Sequence, residues 1–135
     1  MLKINEEITK EILMGKVSDL LLDGHRFVTM TAVDCDDYFD VYYHFDKEYE
    51  LHTLRLKVEK PGTVPSISKA CFPALIVENE IQDLFGITFT DLVIDYEKHF
   101  LLAPDAPEKP FCHVPGVKIT TVESPAAGKK DEVAK

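Results

Sequence analysis

Three runs of residues with the two-residue period of β-strands follow one another between residues 27 and 58. Phe27–Val33 is apolar and β-branched, Phe39–Phe45 alternates, and Leu51–Val58 staggers Leu and Val between polar residues. The alternation places four large side chains of the second run on one face: Phe39, Val41, Tyr43 and Phe45. Because only short, turn-like segments connect the runs, the pattern predicts an antiparallel meander with one buried face.

Helical patterns lie on both sides of these strands. Asn5 suits the N-cap of a helix whose first turn holds Glu6 and Glu7, and Gly24 suits its end. After the strands, Pro73 suits a helix start and Gly86 a helix end, with a broad apolar stripe between them. The sequence therefore predicts an N-terminal helix before the meander and one packed helix at about 73–86 after it.

Proline and glycine place the remaining boundaries. Gly15 weakens the first helix and allows a split there. Residues 60–65 read as a loop, since Pro61, Gly62 and Pro65 oppose continued strand pairing. The fold class is therefore α+β: an N-terminal helix, an antiparallel β-sheet meander, one packed helix and an extended proline-rich C-terminal arm.

The C-terminal third divides into an arm and a tail. Four prolines oppose any long helix or strand in the arm: Pro104, Pro107, Pro110 and Pro115. We expect a single α+β domain over residues 1–98, an extended arm that wraps a partner over 99–120, and a disordered tail over 121–135.

Composition excludes several classes of function. The net charge of -9 argues against nucleic acid as a partner, and an acidic surface is repelled by anionic lipid. No run of about 18 apolar residues is present, so we expect no direct membrane span. The start of the chain turns acidic at once, unlike a signal peptide, and this predicts a cytoplasmic chain.

The cysteines and histidines give little support to a metal site. The chain has three cysteines, far apart and without a Cys-x-x-Cys pair, so neither a zinc nor an iron–sulfur ligand set can be drawn. His44 and His52 lie on adjacent predicted strands and could face one another, as a cross-strand or half-exposed pair rather than as metal ligands. Cys112 and His113 are adjacent, but two further ligands would have to come from elsewhere.

Other clusters have plain explanations. The aspartates at 34, 36, 37 and 40 superficially resemble a calcium loop, but the central Gly and terminal Glu are missing and strands flank the segment. A hairpin turn explains it better. No Gly-rich phosphate-binding loop is present, so nucleotide binding has no support.

The block from Glu78 to Ile87 carries three acids but no nucleophile, histidine or cysteine. Helical geometry brings Glu80 and Asp83 together and turns Glu78 away from Glu80, which weakens any paired-carboxylate mechanism. The pattern alone favours a solvated helix face. The alternative is that these acids bind Arg or Lys of a partner, or cap local backbone groups.

Two separated segments together resemble the 30-kDa subunit family of respiratory complex I, which energy-converting NiFe hydrogenases share. The first is Thr31-Ala32-Val33-Asp34 followed by Phe39-Asp40-Val41-Tyr42-Tyr43-His44-Phe45. The second is Val64-Pro65-Ser66-Ile67 leading into Glu78-Asn79-Glu80-Ile81-Gln82-Asp83-Leu84-Phe85-Gly86-Ile87-Thr88-Phe89. The second resembles the family's most specific stretch, Glu-Arg-Glu-x-x-Asp-Leu-Phe-Gly-Ile-x-Phe. In order and spacing the resemblance covers about Leu20 to Phe111.

The chain departs from this family pattern in several places. Asn79 stands where the family has arginine, and Ala74–Val77 replaces a tryptophan-bearing segment. We also expect the chain to lack the N-terminal α/β portion typical of the complex I members. Short versions of this kind resemble the small subunit of energy-converting (Ech-type) hydrogenases more than the complex I subunit.

The resemblance implies a non-catalytic accessory subunit of an oxidoreductase complex that binds no cofactor itself. The NiFe centre and iron–sulfur clusters would sit in partners: a large NiFe-type or quinone-site subunit and the iron–sulfur subunits, on the cytoplasmic side of the membrane. The parent complex would couple ferredoxin oxidation to hydrogen formation and ion pumping, or would be an NADH-quinone oxidoreductase. Expected partner-contact or structural residues are Glu78, Glu80, Asp83, Phe85, Gly86, Phe89, Pro104 and Phe111.

A rival hypothesis from another class is a free-standing small enzyme or ligand-binding module. Its pocket would lie near His44, His52 and Glu80. A deep polar pocket over the sheet would favour this rival, and an exposed apolar patch would favour the subunit.

Overall fold

The computed structural model describes residues 2–110 of the chain. The described part contains two helices, α1 (Lys10–Leu22) and α2 (Ala74–Phe85). The strands are β1 (Glu6–Ile8), β2 (Arg26–Asp34), β3 (Tyr38–Lys47), β4 (Glu50–Glu59), β5 (Thr63–Pro65) and β6 (Thr88–Thr90). They form a four-stranded sheet in the order β1-β4-β3-β2 and a two-stranded sheet of β5 and β6. The predicted α+β class is confirmed.

The predicted meander forms the centre of the larger sheet. Strands β2, β3 and β4 pair antiparallel, with Val41 opposite Leu56 and Tyr43 opposite Leu54. The face predicted to be buried is buried, since Phe39, Val41, Tyr43 and Phe45 are at most 5% exposed. Both helices contribute to the single hydrophobic cluster on this face.

The N-terminus differs from the predicted helix start. Glu6 and Glu7 belong to strand β1, which pairs parallel with β4 and places Glu6 opposite Leu54. Asn5 is no helix cap: its side-chain oxygen accepts a hydrogen bond of 2.9 Å from the Thr53 amide. The free edge of β4 offers backbone partners and Ile8 enters the core, so tertiary pairing overrides the local preference for helix.

The rest of the first helix follows the prediction more closely. Helix α1 begins at Lys10 after Thr9 and continues through Gly15 without a split. Gly24 adopts a positive φ of 88° just beyond the helix, as expected for a residue that ends one.

The predicted loop over residues 60–65 is wrong in its second half. Pairing with β3 does end at Glu59, as Pro61 and Gly62 require. Thr63–Pro65 then pairs with Thr88–Thr90, parallel and in register, to form the second sheet. This pairing joins segments on either side of α2, and no local sequence pattern announces it.

Helix α2 agrees with the predicted bounds. It starts at Ala74 directly after Pro73 and ends at Phe85, where Gly86 takes the left-handed conformation with φ 73°. The Gly86 amide donates to the Gln82 carbonyl at 3.0 Å. The helix packs mainly over β2 and also contacts β6.

Residues 99–110 contain no helix or strand, as the prolines predict, but they make turns rather than one extended segment. The Ala106 amide closes one turn on the Ala103 carbonyl at 3.0 Å. Residues 111–120 of the predicted arm and the predicted tail over 121–135 lie outside the described residues, as do Cys112 and His113. Wrapping of a partner stays a prediction.

Between residues 2 and 110, neither helix has the length and apolar character needed to cross a membrane.

Candidate functional site

Helix α2 buries four polar side chains within two of its turns. Glu78 and Asn79 are fully buried, and Gln82 and Asp83 are each 2% exposed. Their spacing of one, three and one residues keeps all four on one side of a helix. The favoured expectation of a solvated acidic face is therefore wrong for Glu78 and Asp83. We call these four residues the α2 polar cluster.

Glu78 holds the segment that follows β5. Its Oε2 accepts a hydrogen bond from the Ser66 hydroxyl at 2.5 Å, and its Oε1 accepts one from the Ile67 amide at 2.8 Å. Ser66 Oγ also lies 2.6 Å from Ser68 Oγ, whose oxygen accepts the Val93 amide at 3.1 Å. One carboxyl thus organises the turn before α2 and, through the serines, a loop after β6.

Burial determines the protonation of Glu78. Removal from water raises its pKa from 4.5 to about 7, against the lowering effect of the bonds from Ser66 and Ile67. The hydroxyl of Tyr43 is buried without a hydrogen-bond partner in the described structure. Its pKa is raised well above 10, first by burial and then by the nearby Glu78 charge. The Glu78 side chain is therefore close to the midpoint of its titration at neutral pH, where an exposed glutamate is fully ionised.

Asn79 and Gln82 hold strand β6 and the loop after it. The Asn79 amide donates to the Leu75 carbonyl at 2.9 Å and to the Ile94 carbonyl at 3.0 Å, and its oxygen accepts the Tyr96 amide at 3.0 Å. Gln82 accepts the Phe89 amide at 2.8 Å. Three separate backbone groups beyond the helix are therefore satisfied by these two side chains.

Asp83 anchors the first part of the predicted arm. Its Oδ2 accepts the amides of Leu101 and Leu102 at 2.6 and 3.2 Å. Its Oδ1 is buried and has no hydrogen-bond partner among the described residues. The cluster as a whole caps backbone of its own chain, which is one of the two alternatives that the sequence left open.

Glu80 is placed differently from the other two acids. It is half-buried and lines a groove of about 340 Å³ between α2 and β2, together with apolar side chains that include Phe85. No ion pair or hydrogen bond engages the Glu80 side chain within the described structure. Of the three acids, Glu80 alone keeps a carboxylate at the surface.

Of the other predicted motif residues, Phe89 and Gly86 have structural roles within the chain. Phe89 is 2% exposed and belongs to the core. The positive φ of Gly86 favours glycine, whereas the side chain of Lys109, which a Cβ at this position would overlap, is exposed and flexible and could move aside. Pro104 is exposed. Phe111 lies outside the described residues.

The rival pocket does not form from the predicted residues. Thr53 lies opposite His44 and Phe45 lies opposite His52, so the two histidines are on opposite faces of the sheet and do not face one another. His44 is 7% exposed, its two ring nitrogens each 3.1 Å from a threonine hydroxyl. Burial lowers its pKa. The cavities lined by His52 and by Glu80 are separate.

The aspartates at 34, 36, 37 and 40 lie in and beside the turn of the β2–β3 hairpin, as predicted. Asp40 is 5% exposed and accepts two hydrogen bonds from Arg55, at 3.0 and 2.8 Å. Arg55 also donates to Glu7 at 2.7 Å, which ties β1, β4 and β3 together. Among residues 2–110, no group of three or more His, Cys, Asp or Glu side chains is arranged to hold a metal ion.

Sequence reasoning missed Asn79 and Gln82 as functional positions. An amide buried mid-helix has no periodic signature, because its partners beyond the helix lie 7 to 17 residues away, in strand β6 and in the loop after it. For Asn79, the available signal was its departure from the arginine of the family pattern.

Comparison with known proteins agrees with this picture. Residues 4–113 match the family model of the respiratory-chain NADH dehydrogenase 30-kDa subunit. The C subunit of the NADH-quinone oxidoreductase of Jannaschia sp. (strain CCS1) is 40% identical, over 48% of this chain and 35% of that protein. Its counterpart in Ruegeria pomeroyi is 34% identical over 65% and 48%. The chain therefore spans a third to a half of the length of these relatives.

Among solved structures, a chain from the membrane-bound sulfane sulfur reductase, an archaeal respiratory membrane complex, has the same fold. Its TM-score is 0.62 at 14% identity, with 81% of this chain and 69% of that chain covered. With the family match over most of its length and the buried cluster in the family's most specific stretch, the chain belongs to the 30-kDa subunit family of the respiratory-chain NADH dehydrogenase.

Proposed function

We propose that this chain is a structural subunit of a membrane-bound, complex I-like oxidoreductase, peripheral and on the cytoplasmic side. The main observation behind the proposal is that the family's most specific stretch makes contacts within its own chain. Glu78, Asn79, Gln82 and Asp83 are buried and bonded to backbone or side chains of their own chain. Such side chains shape a rigid body that presents surfaces to neighbours, and they are not aimed at a substrate.

Two parent complexes have support. The relatives from NADH-quinone oxidoreductases favour complex I. The fold likeness to a chain of the membrane-bound sulfane sulfur reductase supports a place among related membrane complexes outside complex I.

We favour the small-subunit role in an energy-converting NiFe hydrogenase, which forms hydrogen from reduced ferredoxin and pumps ions. The support is the departure at Asn79. The family pattern has an arginine there, whereas the asparagine is fully buried and its amide is bonded on both sides. A guanidinium has no acceptor for the Tyr96 amide, so the loop bonds of Asn79 depend on this departure from the family pattern.

In this proposal the redox centres belong to the partners. The NiFe centre and the iron–sulfur clusters would lie in the large and iron–sulfur subunits, which this chain braces. Glu80, with its unengaged carboxylate beside an apolar groove, would meet a basic residue of a neighbour.

The test is purification of the tagged chain from its native membranes in a gentle detergent. Mass spectrometry identifies the co-purifying subunits, and the eluate is assayed for hydrogen evolution from reduced ferredoxin and for NADH–quinone activity. Metal analysis of the separated subunits shows which of them carry nickel and iron.

The subunits that co-purify with the chain identify its parent complex. A NiFe subunit with hydrogen evolution supports the hydrogenase, and NADH- or quinone-site subunits move the chain to complex I. Recovery of the chain alone, as a soluble monomer, contradicts the subunit proposal. Iron bound stoichiometrically to this chain contradicts its cofactor-free role.

A further inference from the structure

Strand β2 is an open edge of the larger sheet. It is nine residues long and ends the strand order, with only β3 beside it in the described structure. A long open edge offers unpaired amides and carbonyls to another extended chain.

The register shows which backbone groups are available. The Cys35 amide donates to the Tyr38 carbonyl at 2.9 Å, which makes this a hydrogen-bonded pair of the β2–β3 ladder. Such pairs alternate along an antiparallel ladder, so Thr31, opposite Tyr42, bonds to β3. Met30 and Ala32 lie between these positions and direct their amides and carbonyls to the open edge, where the Met30 carbonyl also accepts a hydrogen bond from the Thr29 hydroxyl at 3.3 Å.

An apolar groove runs along the same stretch of β2. Its volume is about 340 Å³, and four residues of β2 line one wall: Thr29, Met30, Thr31 and Ala32. The opposite wall is the flank of α2, from Val77 to Phe85. Just outside the groove, Val28 at the bulge of β2 is 50% exposed. An occupant therefore meets free backbone and apolar side chains together.

Charge specifies the occupant further. Glu80 is the one charged side chain among the nine that line the groove. Its carboxylate has no cation within the described structure. Desolvation of a carboxylate by an apolar occupant is costly unless the occupant supplies a positive charge.

We infer that this groove takes an extended segment of a partner subunit, which adds a fifth strand along β2. The segment has apolar side chains facing α2 and one Lys or Arg that pairs with Glu80. Its main chain bonds to Met30 and Ala32, as in other cases of strand addition. The inference rests on the proposed function, since it names the surface that the subunit uses.

A second copy of this chain fits less well. If two β2 strands paired with each other, each groove would have to receive a cation from the other copy. Arg26 is the only basic residue of β2, and it is already bonded to Asp46 at 3.1 and 2.6 Å. The charge of Glu80 therefore favours a different chain as the occupant.

The experiment uses the full tagged chain expressed in its native host and purified from membranes with its complex. Ala32→Pro removes an outward amide but no bond of the β2–β3 ladder, which proline tolerates on an edge strand. Glu80→Lys reverses the groove charge. Glu59→Lys is the matched control, an exposed acid at the end of β4. A photo-crosslinking residue at Val28 identifies what lies against the edge.

We expect Ala32→Pro and Glu80→Lys each to lower recovery of the partner subunits at least about tenfold, while Glu59→Lys leaves recovery unchanged. The crosslink should map to one partner peptide that contains apolar residues and a Lys or Arg. Thermal unfolding of each isolated variant, followed by circular dichroism, shows whether the substitution prevents folding. If Glu80→Lys does not fold, Glu80→Gln takes its place.

Three results overturn the inference: full recovery with Ala32→Pro and Glu80→Lys, a crosslink to a second copy of this chain, or a crosslinked peptide without a basic residue. These results differ from failure of the proposed function, in which the wild-type chain itself recovers no oxidoreductase subunits.

Discussion

Replacement of Glu78 by glutamine tests the electrostatics of the α2 polar cluster. The glutamine side chain has the same shape and can keep bonds to Ser66 and Ile67, but it carries no charge at any pH. In the wild type, burial raises the pKa of Glu78 from 4.5 to about 7. The folded protein therefore holds a proton that the unfolded chain releases at a lower pH. Stability falls as the pH rises from the lower pKa through the higher one.

The size of this effect follows from the two pKa values. A tenfold difference in proton affinity is worth about 1.4 kcal/mol. The rise from 4.5 to about 7 thus makes the wild type about 3 kcal/mol less stable once Glu78 is ionised than when it is protonated. Because the glutamine side chain stays neutral, Glu78→Gln should be the more stable protein at about pH 8.5 and roughly equal at about pH 4.5.

Urea unfolding of both proteins, followed by far-ultraviolet circular dichroism across this pH range, measures the difference in free energy. Other titrating groups, including His44, contribute equally to the free energy of unfolding of both proteins, so their contributions cancel in the difference. Burial lowers the pKa of His44, so its contribution is lost as the pH falls and has the opposite sign. A difference between Glu78→Gln and wild type that stays constant to within about 0.5 kcal/mol would refute the reasoning.

Five further substitutions, two of them for comparison, test the framework. Asp83→Ala should cost about 1–3 kcal/mol, because two loop amides lose their acceptor, and should speed proteolysis after β6; Glu80→Ala, the control, should stay within about 0.5 kcal/mol. Gly86→Ala should lower stability by about 1–2 kcal/mol at its positive φ, whereas Gly15→Ala should raise it by about 0.5–1 kcal/mol. Arg55→Lys should lose about 1 kcal/mol, since lysine cannot make the paired bonds to the buried acid of β3. Thermal or urea unfolding measures each change.

Equal unfolding midpoints for Asp83→Ala and Glu80→Ala would contradict the anchoring role of Asp83. A Gly86→Ala protein as stable as wild type would show that alanine adopts the positive φ at residue 86 without cost. An Arg55→Lys protein without loss would mean that the link to Asp40 contributes little.

The meander and α2 were predictable because their signals are local. Alternation along Phe39–Phe45 defines one buried face whatever the partner strands are, and Pro73 and Gly86 restrict the backbone by their own chemistry. The register of β3 with β4 then follows from the short turn between them.

The rest depends on contacts between distant segments. Thr63–Pro65 pairs with Thr88–Thr90 across α2, and Glu6–Ile8 pairs with β4 from more than 45 residues away. Each of these strands has only three residues, which is too short to show a periodic pattern in the sequence. The same holds for the candidate site: the acids of α2 could be located from sequence, but their burial could not, because it is created by loops such as that of Leu101.

The bonds of the α2 polar cluster also set an order of events during synthesis. The acceptors for Asn79 and the donors for Asp83 are backbone groups as far along as residue 102. Until the ribosome has released that part of the chain, α2 carries a polar stripe that water must solvate. The helix can pack against β2 earlier, but its polar side chains cannot be buried until the loop after β6 is available. Within the described residues, the loop after β6 is therefore the last segment that the α2 polar cluster can bind.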